Sequence, residues 1–182
     1  EKNDLSLYVG IPFCPTRCAY CSFVSADVQR ALKLVEPYLA ALDQEIDAAA
    51  GYLREAGAKV RTIYIGGGTP TTLSAPQLEH LISHLRQVLE LDRLAEFTVE
   101  AGRPDTITAD KMAVLRDLGV DRVSVNPQTM QDEVLRAMGR SHTAADILIA
   151  YDIVRKSGIP IVNMDLIAGL PKDSVAGFRN TL

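Results

Sequence analysis

Five β-rich runs, near residues 5–11, 60–66, 96–101, 121–126 and 160–167, each divide into one apolar and one polar face. Strand side chains alternate between faces, so the division is read from residue parity alone. The apolar set is Leu7, Val9 and Ile11; Ile63 and Ile65; Phe97 and Val99; Val123 and Val125; Met164 and Leu166. The polar set is Ser6, Tyr8 and Gly10; Thr62, Tyr64 and Gly66; Thr98 and Glu100; Ser124 and Asn126; Asn163 and Asp165. Helical patterns near 33–55, 75–90, 109–118 and 144–157 separate the runs, and strand, helix, strand in repetition predicts a parallel sheet. A parallel sheet covered by helices on both sides needs two apolar faces. The polar face therefore predicts an open cavity, as in an α/β partial parallel (β/α) barrel with helices outside and the working end where strands terminate. A flat doubly wound sheet is the alternative.

The helical patterns supply the cover. The first places Val35, Tyr38, Leu39, Leu42, Ile46, Ala49 and Leu53 on one stripe and stops at Gly57. The second opens with Ser74-Ala75-Pro76-Gln77, a capping box, and buries Leu78, Leu81, Ile82, Leu85 and Leu89. Thr108 is the expected cap of the third, with Met112, Leu115 and Leu118 inward and Gly119 as its end. The fourth carries Ile147, Ile149, Ala150, Ile153 and Val154. No low-complexity linker interrupts residues 1–182, which read as one domain; the start at Glu1 and the stop at Leu182, inside a helix begun near Asp173, suggest a piece of a longer protein.

Lys plus Arg 19 against Asp plus Glu 23 gives a net charge of −4, with the basic residues scattered, so nucleic acid is not an expected partner. No apolar run nears the roughly eighteen residues of a membrane-spanning helix. The three cysteines all lie within Cys14–Cys21, a spacing that suits a metal better than a disulfide framework and implies a reducing, cytoplasmic setting.

That loop reads Ile11-Pro12-Phe13-Cys14-Pro15-Thr16-Arg17-Cys18-Ala19-Tyr20-Cys21-Ser22-Phe23 and follows the first strand. Three thiolates at C-x3-C-x2-C can hold three corners of a [4Fe–4S] cube and leave one iron open to a ligand. Structural zinc and three buried free cysteines are the competing readings; zinc wants four ligands, and His80, His84 and His142 are distant in sequence. His80 and His84 read as solvated surface on the polar side of the second helix, and His142 as a loop residue. Gly66-Gly67-Gly68-Thr69-Pro70 ends the second strand; alone it is either a turn or a backbone made bare for a ligand.

The cysteine loop resembles the radical S-adenosylmethionine (SAM) family. The resemblance implies a [4Fe–4S] cluster on Cys14, Cys18 and Cys21, with SAM chelating the free iron and being cleaved by one electron to a 5′-deoxyadenosyl radical. It extends along the chain and is nearest to the coproporphyrinogen dehydrogenase group: Tyr8-Val9-Gly10-Ile11-Pro12-Phe13-Cys14, Val99-Glu100-Ala101, Gln128, Gly139-Arg140 and Asn163 to Pro171 are similar to its motifs. By that likeness this chain holds five of the family's six barrel strands, and Tyr8, Gly67 and Glu100 hold the cluster-bound SAM. Tyr20, Gly68, Thr69, Gln128, Arg140 and Asp165 line the rest of the cavity, which in the best-known members takes a second SAM. In a merely structural role, Glu100 and Asp165 would instead pair with Arg103, Arg122 or Arg140.

Glu100-Ala101-Gly102-Arg103-Pro104 and Val125-Asn126-Pro127-Gln128 resemble the HemZ subgroup in particular. The likeness implies an oxidoreductase that decarboxylates two propionates of coproporphyrinogen III to vinyls in haem biosynthesis, with a porphyrinogen substrate and a flavodoxin- or ferredoxin-like electron donor. One departure stands out: Phe23 occupies a place where the decarboxylating members usually carry a further cysteine. The same Cys-x-Phe ending occurs in the related haem chaperone HemW, so a haem-delivery role, or radical SAM chemistry on another substrate, are the alternatives.

Overall fold

The protein, a computed structural model, is described for residues 3–23, 26–27 and 31–182. Five strands form one parallel sheet in sequential order: β1 (Asp4–Ile11), β4 (Lys59–Gly67), β5 (Glu96–Glu100), β6 (Arg122–Ser124) and β7 (Ile161–Asn163). Two residues on each side, β2 (Phe13–Cys14) and β3 (Ala26–Asp27), make a separate short parallel pair. The α/β architecture is the one the strand parity requires. In register, Val9, Ile65, Val99, Val123 and Val162 form a continuous row, and all but the half-buried Val162 are at most 3% exposed. The opposite face carries Tyr8, Tyr64 and Thr98 in one row and Glu100, Ser124 and Asn163 in the next.

Helices pack on the apolar face. α1 (Val35–Ala56) buries Val35, Leu39, Leu42, Ile46 and Ala50 at helical spacing, and Gly57 ends it at a left-handed φ of 60°. α2 (Ala75–Val88) begins with the expected capping box between Ser74 and Gln77 and buries Leu78, Leu81, Ile82 and Leu85. These side chains interlock with the strand rows in one core, where trimming a leucine such as Leu81 to alanine costs about 2–5 kcal/mol. α3 (Ala109–Asp117) buries Met112 and Leu115. Thr108 stands at its start, but its side chain makes no capping hydrogen bond to the backbone.

Three further expectations need correction. Ile149 of α5 (Ala144–Ser157) is 60% exposed; the buried stripe of that helix is Ile147, Ala150 and Val154. The fifth strand stops at Asn163 rather than 167, because past it the pairing is reduced to the isolated parallel bridge between Gln128 and Leu166. Beyond Asn163 the period of two no longer fixes side-chain direction, so Met164 is 39% exposed rather than packed under helices. Sequence periodicity also passed over α4 (Asp132–Ala137), whose six residues are too few to display a repeat; Val134 and Leu135 join Met138, Ile147 and Leu170 in a second small core. α6 (Val175–Thr181) starts two residues past Asp173, capped by the Ser174 side chain.

Candidate metal and cofactor centre

The cysteine loop is pinned at both ends and in its middle by the backbone. Ala26 donates its N–H to the carbonyl of Pro12 at 2.7 Å, Ala19 to that of Met138 at 3.0 Å, and Cys21 to that of Cys18 at 3.1 Å. Cys14, Cys18 and Cys21 are all free thiols, the first two buried. Cys14 Sγ lies 3.0 Å from Thr69 Oγ1, and Arg103 Nη1 donates to Cys18 Sγ at 3.5 Å. Burial pushes the Cys14 thiol above its usual range, with Thr69 and Arg103 pulling the other way.

The three sulfurs border one cavity at the C-terminal end of the sheet, shared with Tyr20, Gly67, Gly68, Thr69, Glu100, Gln128 and Arg140. Those residues were named from the sequence. Tyr8 and Asp165 do not border it. Tyr8 is on the same sheet face but 60% exposed, stacked on Tyr64 at 5.9 Å, and Asp165 lies exposed beyond β7.

Among the described residues no three His, Cys, Asp or Glu side chains gather as ligands of one ion. A structural zinc needs four donors converging on one point, whereas a cube takes each thiolate on a different iron. A second observation fits the cube. Arg103 is 2% exposed, beside Cys18, and its Nη2 is buried without a partner, a donor that an anionic sulfur cluster would satisfy.

The glycines are bare for a reason visible in the backbone. Gly68 donates to the carbonyl of Ile11 at 2.8 Å and Thr69 to that of Phe13 at 2.7 Å, locking the end of β4 against the root of the cysteine loop. A Cβ on Gly68 would sit 2.6 Å from the Phe13 oxygen, and Gly67, at φ 110°, would press one 3.0 Å from the Ile11 backbone. On Gly66 a Cβ would stand 2.5 Å from the Tyr64 ring and 3.0 Å from Glu100 Oε2, so that glycine makes room for both side chains.

Glu100 accepts from Asn126 Nδ2 at 3.0 Å, Asn126 Oδ1 accepts from Ser124 Oγ at 2.8 Å, and Ser124 Oγ accepts from Asn163 Nδ2 at 3.2 Å, which also reaches Asp165 at 2.8 Å. Burial first, then the Asp165 charge, raise the Glu100 carboxyl above its usual range, against bonds from Tyr64, Gly67 and Asn126. Burial, Glu100, Asp165 and Tyr8 together push the Tyr64 phenol up to about 12. The structural pairing of these carboxylates with arginine is not present. Arg122 pairs with Glu96 at 3.1 Å and Arg103 with Asp105 at 3.3 Å; Arg140 donates to the carbonyls of Asn126 at 2.8 Å and Gly102 at 3.4 Å and to Tyr20 Oη at 2.9 Å. A carboxylate without a cation at the edge of an open cavity, Glu100, suits a cationic or donor-rich ligand.

Gln128 is 9% exposed with a left-handed φ of 67°, a conformation costing a non-glycine residue about 1–3 kcal/mol. Its backbone is held by bonds to Asp165 and Ile167, which aim it at the cavity rim. Phe23, 63% exposed, also borders the cavity. His80 and His84 do more than face solvent: each Nε2 reaches a carboxylate of α1, Asp43 at 2.7 Å and Asp47 at 3.0 Å. His142 is 4% exposed, with Nδ1 3.7 Å from Asp105. Sequence reasoning missed Asn126 and Arg103 as site groups; the parity that placed Asn126 on the same face as Glu100 was the available signal.

The family model for the radical SAM superfamily matches residues 8–182. The oxygen-independent coproporphyrinogen-III oxidase-like protein HemZ of Bacillus subtilis is 44% identical over 182 residues, covering 100% of this chain and 36% of that protein. The haem chaperone HemW of the same organism is 36% identical, covering 97% of this chain and 46% of that protein. Among solved structures, coproporphyrinogen III oxidase (HemN) from Escherichia coli, described as a radical SAM enzyme, superposes with a TM-score of 0.87 at 35% identity, over 98% of this chain and 40% of that one. The chain thus spans less than half the length of each of these relatives.

Proposed function

Starting from the premise that the chain belongs to the radical SAM superfamily, we propose that it is the catalytic core of an oxidoreductase that converts propionate side chains of coproporphyrinogen III to vinyls. Superfamily membership implies a [4Fe–4S] cluster and SAM. Cys14, Cys18 and Cys21 would hold the cluster. Glu100 and the Gly67 backbone would hold the cofactor against it, and Tyr20, Gly68, Thr69, Gln128 and Arg140 would line the remaining space, while Tyr8 and Asp165, outside this cavity, would meet only a part of the cofactor that extends beyond it. When bound, the two groups supply the one-electron chemistry that removes a hydrogen from carbon.

The rest is work for the chain's own residues. Each propionate loses the hydrogen β to its carboxylate, the bond to the carboxyl carbon breaks, CO₂ leaves, and one electron passes to an acceptor. A flavodoxin- or ferredoxin-like protein would supply the electron that starts the cycle. Glu100, kept free of arginine, presents its charge to a cationic ligand group, while Arg140 and Gln128 fix the cavity wall. The observation that carries the reading is the cavity in which the three thiols, the Gly67–Thr69 backbone and the unpaired Glu100 meet.

A haem-chaperone reading is favoured by one feature, the apolar Phe23 ring at the cavity rim in place of the cysteine usual in decarboxylating enzymes. Anaerobic incubation of the full-length protein with coproporphyrinogen III, SAM and a reductant separates the two. Protoporphyrinogen formation supports decarboxylation; stoichiometric haem binding with no vinyl product supports the chaperone.

A further inference from the structure

Arg103 is the most buried cation of the cavity, and nothing in the proposed cofactor chemistry uses it. It follows β5 by three residues, at the entry to the single turn Pro104–Thr106, where its main-chain carbonyl accepts from Thr106 N–H at 3.0 Å and Thr106 Oγ1 at 2.7 Å. The backbone is therefore fixed, and the side chain turns back under the cysteine loop. There Nη1 donates to the Thr16 carbonyl at 3.4 Å and to Cys18 Sγ at 3.5 Å, while Nε meets Asp105 Oδ1 at 3.3 Å. Asp105 is backed in turn by His142 at 3.7 Å. Nη2 is buried with no partner.

We propose that Arg103 is a positioning residue that orients the Cys18 thiolate and sets the reduction potential of the cluster, with Asp105 as the counter-charge that moderates it. The inference rests on the reading of Cys14, Cys18 and Cys21 as cluster ligands. A fixed positive charge and hydrogen bonds to cluster sulfur favour the reduced, more negative state and raise its potential. Asp105 withdraws part of that effect, because its carboxylate lies on the same guanidinium. Burial opposes the charge on Asp105, yet His142 and Arg103 outweigh it and hold the carboxyl at about 2, so the counter-charge is present throughout the neutral range.

The two residues therefore act on the potential in opposite directions, which a purely structural role would not produce. The test is anaerobic reconstitution of the full-length protein and of its Arg103→Gln, Arg103→Lys and Asp105→Asn variants, with iron and sulfide content and spectroelectrochemical titration of each. Arg103→Gln is expected to shift the midpoint potential down, Asp105→Asn to shift it up, and Arg103→Lys to recover most of the charge effect. Should Arg103→Gln fail to retain a cluster, the upward shift in Asp105→Asn still carries the proposal. Unchanged potentials, or shifts of the same sign in Arg103→Gln and Asp105→Asn, overturn it. An unmodified protein that takes up zinc and no iron overturns the cluster reading as well.

Discussion

Glu100 and Asp165 stand on the same side of the sheet, joined through the side chains of Asn126, Ser124 and Asn163 and by no cation. Such an arrangement stores cost in the unloaded protein, since burial and mutual repulsion both disfavour the Glu100 charge. Its folded carboxyl is raised, so the folded state binds more protons than the unfolded one just above the usual carboxylate range. Stability must then fall as pH rises through that window. Glu100→Gln keeps an acceptor for Asn126 and removes the charge. It is expected to stabilise the unloaded protein at neutral pH by about 0.5–2 kcal/mol, to flatten that part of the pH profile, and to weaken SAM binding. Thermal melts across pH and equilibrium dialysis with SAM check both halves; a loss of stability equal to the loss of binding would assign Glu100 to the scaffold.

Two glycines give opposite forecasts. Gly68 has backbone oxygen 2.6 Å from where a Cβ would sit, and Gly51, in the middle of α1, has nothing within 4 Å. Gly68→Ala should therefore cost about 1–3 kcal/mol or more, because the strain falls on rigid main chain at the root of the cysteine loop. Gly51→Ala should add up to about 1 kcal/mol through helix propensity. Denaturant melts of the two variants side by side provide the check.

Arg140 satisfies two carbonyls and one phenol with a single guanidinium. Arg140→Met would leave the Asn126 and Gly102 carbonyls without those donors, at a cost of about 1–3 kcal/mol. Tyr20→Phe removes only the hydroxyl from a residue that is 41% exposed, where water can replace it, and should cost under about 1 kcal/mol. The difference in Tm between these variants measures how much of the arginine's role is structural; a Tyr20→Phe loss as large as that of Arg140→Met would contradict it.

The sheet was legible because its strands alternate strictly over the stretches that pair; of the seven residues from the family resemblance that border the cavity, parity independently singled out Glu100. What was hidden has a common cause. Asp165 and Met164 lie between the end of β7 and the isolated Gln128–Leu166 bridge, where the ladder is interrupted and both side chains stay exposed. Arg103 turns back across 85 positions of sequence to reach Cys18, a contact no local period announces. The glycine run alone left a plain turn and a bare backbone both open, and only the packing of Gly68 against Ile11 and Phe13 shows that the first tenant of that space is the protein itself.

Phe23 offers the sharpest test of function. Its ring borders the cavity and is 63% exposed, so replacing it with cysteine removes few packing contacts, and stability should move by no more than about 0.5 kcal/mol. Any change in turnover is then an effect on the cavity. If the ring narrows the space beside the cluster loop, the unmodified full-length protein should form 5′-deoxyadenosine in excess of vinyl product. Phe23→Cys, smaller and more polarisable, should bring the two closer to parity. Quantifying both products from one anaerobic reaction decides the matter: tight coupling in the unmodified protein would reduce Phe23 to a surface ring. An excess that Phe23→Cys leaves untouched would place the cause of uncoupling elsewhere in the cavity.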